Sequence, residues 1–503
     1  LNKSQDEGKE ERPFLKRCVG FDLMLVACLA FASAFCQEKP GPPRPAQVSV
    51  LIDESRALPP EFKAEALLRL SMSHLVPGIE WKRRLIEEAF WAGSHAYLPY
   101  LQIADQRSDS VDMNAVRANG LEALTLQGRA VQAMAGVNPA RALRLFEQIP
   151  QPMPPELSCK IVFAPDLTIY YKTATLIFQK SFSIKEQSNG TDVLFLRQLV
   201  GLVSVPEQVP PALEMIFTLK LPSDERHDLL TVLSGRIQEI ARSDREYGGA
   251  EHALTSAMNR MHSSDASVLL SALRPYIVRH ASQHRCTENM PPEGQLSQSE
   301  EQFNRLVKKF DSTEIRYKRV SAEEAKPSGD DGTYDKHLIG QSPQSGAVME
   351  ALRWLTHGNR ERNGKVLNWT LAERSDQEWL THFHDADRLI SELKEEDEAS
   401  PESFFCMKSD ALNTLAALAP PGPGRDAAMS EYIEFLEDYY SSIENPNLWF
   451  TMFRHMLYTA RFSEDPANKL WILQRLGRST NPIVSLYAKV ELTIGPPAAA
   501  NSL

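Results

Sequence analysis

The sequence predicts an all-α fold of antiparallel helical hairpins, set in two blocks and forming an α-solenoid in part. Three observations predict it. Apolar residues recur at helical spacing through most of the chain. Breaks built on proline, glycine and asparagine fall between these stretches. No extended stretch alternates with period two, although Gln47 to Ile52 can form a short strand. At 503 residues the chain is too long for one core and suits two or three domains of roughly 100–200 residues each. Its 42% hydrophobic content is that of a folded protein.

The first element, over residues 1–36, reads as an export signal. Lys16 and Arg17 precede thirteen apolar residues, Leu23 to Phe35, and Ala32-Ser33-Ala34 near their end has the form of a signal-peptidase site. A spanning helix needs roughly 20 apolar residues, so this run is too short to remain in a membrane. Leu25-Val26-Ala27-Cys28 also has the form of a lipobox, and the alternative is a lipoprotein anchored at Cys28. The expected location is therefore exported, periplasmic or extracellular.

Residues 37–56 follow as a spacer containing Pro40, Pro42, Pro43 and Pro45. Proline fixes φ and lacks an N–H, which favours an extended tether. The N-terminal helical domain spans 57–286. Phe62, Ala66, Leu67 and Leu70 mark one amphipathic helix, Trp81, Leu85, Ala89 and Phe90 a second, and Val76-Pro77-Gly78 the turn between them. Ala115 to Ala135 reads as a helix, Gly136 to Pro139 as a turn and Ala140 to Ile149 as its partner, with small Ala130 facing small Ala142. That unit resembles half of the tetratricopeptide pattern, in which small residues let two helices pack closely, but the aromatic expected in the first helix is missing and a generic helix pair is the preferred account. Further helices are predicted over 167–182, 192–203, 211–219, 224–242, 250–262 and 266–284.

Composition shifts around Thr287, and residues 287–345 read as a linker with one helix from Glu300 to Phe310. A C-terminal helical domain follows over 346–495, interrupted by Pro420 to Gly424, with a tail at 496–503. The segments Ala57 to Phe62 (ALPPEF), Arg319 to Pro327 (RVSAEEAKP), Ala419 to Asp426 (APPGPGRD) and Asn481 to Glu491 (NPIVSLYAKVE) resemble a group of uncharacterised exported helical proteins from bacteria. The resemblance spans most of the mature chain and rests on packing and turn signals. It implies a secreted or periplasmic α-helical protein and transfers no activity, cofactor or site residue.

Three cysteines, Cys159, Cys286 and Cys406, lie in the body and form no C-x-x-C pair. An oxidising compartment allows one disulfide, for which Cys159–Cys286 is favoured, and the alternative is three inert buried thiols. His280, His284 and Cys286 have the spacing of a partial zinc site, the two histidines sharing a helix face at i and i+4. Arg279 and Arg285 oppose a cation there, and surface histidines at a helix end are the preferred account. His382, His384, Asp385 and Asp387 superficially match a metallo-hydrolase cluster. On a helix, however, His382 and His384 point about 200° apart and cannot chelate together.

Glu431, Glu434, Glu437 and Asp438, with Tyr439, Tyr440, Trp449 and Trp471, form a carboxylate-rich aromatic block of the kind polysaccharide-acting enzymes use. Tyr432, Phe435, Leu436 and Tyr439 recur at helical spacing, however, which favours a core face. Glu395 to Glu398 reads as a solvated face. The sequence has no phosphate-binding glycine loop, H-E-x-x-H or G-x-S-x-G. A formal charge of −11 argues against nucleic acid, and the basic cluster Arg316 to Arg319 reads as a solvated face. No catalytic, cofactor or metal residue is assigned. The expected function is an exported scaffold or interaction module of the cell envelope, binding a protein or an envelope polymer. The alternative is a helical-toroid enzyme acting on polysaccharide.

Overall fold

The computed structural model describes residues 45–96, 120–154, 166–242, 249–261, 263–287, 290–310, 317–330, 342–357, 376–398, 400–420, 422–439 and 466–494, with 332, 361–362, 365–366, 453–454 and 457 between them. The fold is all-α, as the apolar periodicity predicts. Nineteen α-helices and two short 3-10 helices, Pro206–Gln208 and Glu395–Asp397, are described, and the two strands described are a short antiparallel pair, Glu361–Arg362 with Lys365–Val366. Among the described residues, no helix is long and apolar enough to cross a membrane.

The first group comprises α1 (Ala46–Arg56), α2 (Pro60–Met72), α3 (Ile79–Ser94), α4 (Ala123–Ala135), α5 (Pro139–Phe146) and α6 (Thr168–Lys180). The possible strand at 47–52 is a correction. These residues are helical, and Val48, Leu51, Ile52 and Ser55 are buried at i, i+3, i+4 and i+7. The first described helix thus begins at Ala46, within the stretch read as spacer. The helix expected from Ala115 starts at Ala123, because Gly120 takes a φ of +60°, which ends any helix running through it. Residues 115–119 lie outside the described set.

Seven helices begin on a proline: those at Pro60, Pro139, Pro343, Pro401, Pro423, Pro466 and Pro482. The first helical residue has no intrahelical use for its N–H, and proline's fixed φ is already helical. The prolines that punctuate the sequence are therefore starts as much as stops. At Pro139 the start is reinforced by Asn138, whose side chain accepts from the Arg141 N–H.

Glycine sets the helix approach at two points. A Cβ on Gly93 would lie 2.9 Å from the Leu126 Cβ, and one on Gly128 would lie 2.8 Å from Ile169 Cγ1. Both distances are below normal carbon contact, so α3, α4 and α6 meet through these bare backbones. Ala130 and Ala142 are fully buried where α4 and α5 pack.

The next helices are α7 (Ile184–Ser188), α8 (Thr191–Gly201), α9 (Val209–Thr218), α10 (Ser223–Glu239), α11 (Gly249–Asn259), α12 (Ser263–Ala281) and α13 (Gln298–Phe310). They build two rows: α8, α10 and α12 pack in succession, and so do α9, α11 and α13. Helices α10 and α12 run parallel. Arg226 near the start of α10 pairs with Asp265, and Arg279 near the end of α12 donates to Ile240 O at 2.7 Å, each contact spanning 39 residues. A constant offset at both ends is possible only when the two axes share a direction.

The segment 287–345 contributes packed structure to this block. In α13, Phe303, Leu306 and Val307 are buried, and the helix packs on α11 and α12. Arg285 and Thr287 donate their backbone N–H groups to Gly329 and Gly332, and Ser328 donates to Ser282, which fastens these three residues beside the end of α12.

The last helices are α14 (Pro343–His357), α15 (Gln377–Glu392), α16 (Pro401–Leu418), α17 (Pro423–Tyr439), α18 (Pro466–Leu476) and α19 (Pro482–Ile494). They pack largely on their chain neighbours, and α19 then returns to pack on α1 and α2. Tyr487 meets Phe62 edge-on at 6.5 Å, and Lys489 pairs with Glu54 at 3.1 Å.

Candidate functional site

The parallel course of α8, α10 and α12 brings their first turns to one edge. Asp192 lies in the first turn of α8, Asp224 and Glu225 in that of α10, and Asp265 in that of α12. Carboxylates suit this position because they meet the positive end of the helix dipole. Between them stand Arg226 and His227, which both reach Asp265: Arg226 Nε lies 3.2 Å from Oδ2 and His227 Nδ1 lies 3.0 Å from Oδ1. One turn further on, Arg197 pairs with Asp228 at 3.4 Å.

This arrangement fixes an imidazole. Asp265 is buried with 5% of its surface exposed, whereas the His227 side chain is about half exposed. A proton on Nδ1 donated to the carboxylate leaves the Nε2 lone pair as the ring's free acceptor. The edge therefore offers an oriented acceptor beside several carboxylates. The Glu225 carboxyl is pushed up by burial and by the negative charges of Asp224 and Asp192. The sequence reading passed over these residues, because each is only a charged residue after a turn. The available signal was an acid in the first turn of three successive helices.

The predicted clusters behave differently. His280 is buried, with 2% exposure, and not at the surface as the sequence suggested. Burial brings its imidazole down to about 4, aided by the charges of Arg279 and Arg285 and opposed by a hydrogen bond to Gln283. His284 packs against Gly329, where a Cβ would come within 3.2 Å of the ring. Cys286 is disulfide-bonded and offers no thiolate, so the three residues do not make a zinc site. Cys406 is buried and is not in a disulfide, and the favoured partner of Cys286, Cys159, lies outside the described residues.

His382 stacks on Trp354 while His384 meets the edge of Phe383, so the two rings are engaged separately. Among the described residues, no group of three or more histidine, cysteine and acidic side chains could hold a metal ion.

The carboxylates of the C-terminal block have separate partners. Ser391 donates to Glu431 at 3.3 Å, Arg475 pairs with Glu434 at 3.4 Å, and Ser479 donates to Glu437. Burial raises the Glu431 carboxyl, with help from Asp387, and lowers the neighbouring Lys408 amine. Tyr432, Phe435 and Leu436 are buried, and Tyr439 packs against Phe404, Phe405 and Phe435. Trp471 packs partly buried against the core, and Tyr440 and Trp449 lie outside the described residues, as do Cys28 and the whole leader.

A second charged group forms where α19 meets the N-terminal helices. Arg129 pairs with Glu65, Arg69 pairs with Glu491, and the Arg69 guanidinium lies 6.0 Å from the Tyr487 ring centre. Burial raises the Glu65 carboxyl, but Arg129, Arg69 and Arg454 together outweigh it and hold the group below the usual carboxylate range. Its members face one another across packed helices, which makes it a fastening and not an open site. No protein-family model matches the chain, and comparison with curated proteins finds no match.

Proposed function

We propose that the protein is an exported helical scaffold of the cell envelope, and that it engages its partner through the first-turn edge of α8, α10 and α12. The observation that carries this reading is the convergence of Asp192, Glu225, His227 and Asp265 from three parallel helices on one edge. Parallel stacking repeats the same helix end at each step, and a row of like ends is a natural recognition surface. The disulfide at Cys286 supports the export half, since such bonds persist in oxidising compartments. So does the order of basic, apolar and small residues from Lys16 to Ala34.

The test is cross-linking and pull-down of the leaderless protein from an envelope fraction, with partners identified by mass spectrometry. A stoichiometric partner retained by wild type and lost by a folded Arg226→Ala/His227→Ala variant supports the reading. A partner retained equally by both removes the edge from it, and no partner at all removes the scaffold role.

One observation favours a second reading, a polysaccharide-acting enzyme. The return of α19 onto α1 and α2 brings the helical course back on itself, as a toroid requires. Glu431, with its raised carboxyl, is then the proton donor. Release of reducing ends from envelope glycan, abolished by Glu431→Gln, supports that alternative; equal release by the variant excludes Glu431.

A further inference from the structure

Helix α13 and the chain that follows it carry a basic strip on an acidic protein. From Asn304 to Val320 the sequence holds six basic residues and two acidic ones, in a chain whose formal charge is −11. Tertiary contacts draw part of this stretch together. Asn304 on α13 clamps Val320 with both ends of its amide: Nδ2 donates to Val320 O at 2.8 Å, and the Val320 N–H donates to Oδ1 at 2.8 Å. Arg274 on α12 donates to Lys318 O at 2.8 Å and to Arg319 O at 3.2 Å. Arg305 and Arg319, the chain neighbours of the two clamped residues, therefore flank one clamp, with Lys308 a helical turn beyond Asn304. Lys309 donates to Asn259 O at 3.1 Å, which brings the exposed Arg260, next after α11, to the same strip.

Arg260, Arg305, Lys308, Lys309 and Arg319 are all exposed, and none of them forms an ion pair among the described residues. Exposed arginines elsewhere do find acids: Arg56 pairs with Asp53 and Glu88, Arg197 with Asp228, and Arg388 with Glu392. The acids of α13 and of residues 317–326 leave the strip positive. Glu300 is buried with Arg285, Glu324 is committed to Arg274 and Lys318, and Glu301 and Glu323 make no ion pair. The negative ends of α11 and α13 account for Arg260, Lys308 and Lys309. They do not account for Arg305, a turn earlier in α13, or for Arg319, which lies in no helix.

We propose that this strip binds a linear polyol-phosphate polymer of the envelope, with Arg305 and Arg319 gripping successive phosphates and Lys308, Lys309 and Arg260 extending the track. Guanidinium forks match phosphate oxygens bidentately, and each phosphate neutralised releases condensed counterions. A flat anionic bilayer fits less well, because it would also press against the acidic remainder of the surface. Single-stranded nucleic acid draws on base stacking, and the aromatic residues here, Phe310 and Tyr317, are partly buried against the core. The strip is a second surface, distinct from the first-turn edge of α8, α10 and α12. Only the polymer's envelope origin rests on the scaffold reading.

The experiment titrates the protein into a fluorescein-labelled glycerol-phosphate oligomer and follows anisotropy over a range of salt concentrations. The test variant is Arg305→Gln/Arg319→Gln, and the charge-matched control is Arg144→Gln/Lys172→Gln, exposed cations on α5 and α6. Wild type and the control are expected to bind alike. The test variant is expected to bind about tenfold or more weakly, with the salt dependence of log K reduced by about 1–2. Arg226→Ala/His227→Ala is expected to bind as wild type does, which separates this proposal from the partner-binding edge. No binding by wild type overturns the proposal, as does equal binding by wild type and the test variant. An equal loss in the control would mark general charge attraction and also overturn it. Binding to phosphatidylglycerol vesicles without binding to the oligomer would assign the strip to a membrane surface instead. Tighter binding of an oligothymidylate of equal charge would assign it to nucleic acid, and either result overturns the polymer.

Discussion

Arg69 on α2 donates to the carboxylate of Glu491 on α19, 422 residues further along the chain. Both side chains are nearly excluded from solvent, at 11% and 2% exposure. Removing one member of such a pair strands the other charge in the interior. Glu491→Gln is therefore expected to destabilise the protein by about 3 kcal/mol, read from urea unfolding. Replacing both residues, with Arg69→Met and Glu491→Leu, is expected to recover much of that loss. Equal losses in the single and double variants would show that the pair contributes through packing alone.

Glu65, held below the usual carboxylate range by three arginines, makes stability depend on acid. Its folded value is depressed relative to the unfolded one, so its contribution is present above roughly pH 4.3 and is lost as pH falls through the folded value. Urea midpoints measured from pH 6 down to pH 3 are expected to fall more steeply in wild type than in Glu65→Gln. Parallel curves would contradict this account.

The interior imidazole has the same sign and a higher window. His280 is brought down to about 4 by burial, so the unfolded chain binds a proton that the folded chain refuses. Stability is then complete above roughly pH 6.5 and declines toward pH 4, by as much as about 3 kcal/mol. His280→Gln is expected to flatten the curve across that interval. NMR of the imidazole protons provides a direct check, since a titration midpoint near 6.5 in the folded state would overturn the prediction.

At Gly128, even one methyl group is excessive. Its Cβ would sit 2.8 Å from Ile169 Cγ1 on the facing helix, so Gly128→Ala is expected to cost about 1–3 kcal/mol by overpacking. Combining it with Ile169→Ala, which removes the facing Cγ1, is expected to cost less than the sum of the two single variants. Thermal melts of the two single variants and the double variant complete the comparison.

The disulfide at Cys286 gives a chemical prediction. Cys286→Ser is expected to lower stability by about 2–4 kcal/mol, and dithiothreitol is expected to lower wild type to the same level. The variant itself should be insensitive to the reductant. A further fall of the variant in dithiothreitol would mean that a different bond is responsible.

Much of the fold was legible because its signals are local. Asn138 before Pro139, the glycine and proline breaks, and the spacing of Leu85, Ala89 and Phe90 each act within a turn or two of backbone. The apolar stripe of Tyr432, Phe435 and Leu436 was equally readable, and it lies in the core. The errors arose where context overrides such signals. Val48 to Ile52 offers apolar residues at both periods, and only the surface that α1 covers decides for the helix. His280 has an ordinary polar appearance, yet α12 carries it into the interior.

The sequence by itself determined the class of the fold, where most helices begin and which faces are apolar. Proline geometry, caps and periodicity are properties of a few adjacent residues and need no partner to express themselves. Tertiary structure alone decided that α10 and α12 run parallel with a 39-residue offset, that three first turns share an edge, and that α19 returns to α1 and α2. Those relations join residues far apart in the chain. They are set by which apolar faces fit together and by which buried charges find partners, and no local pattern records either choice.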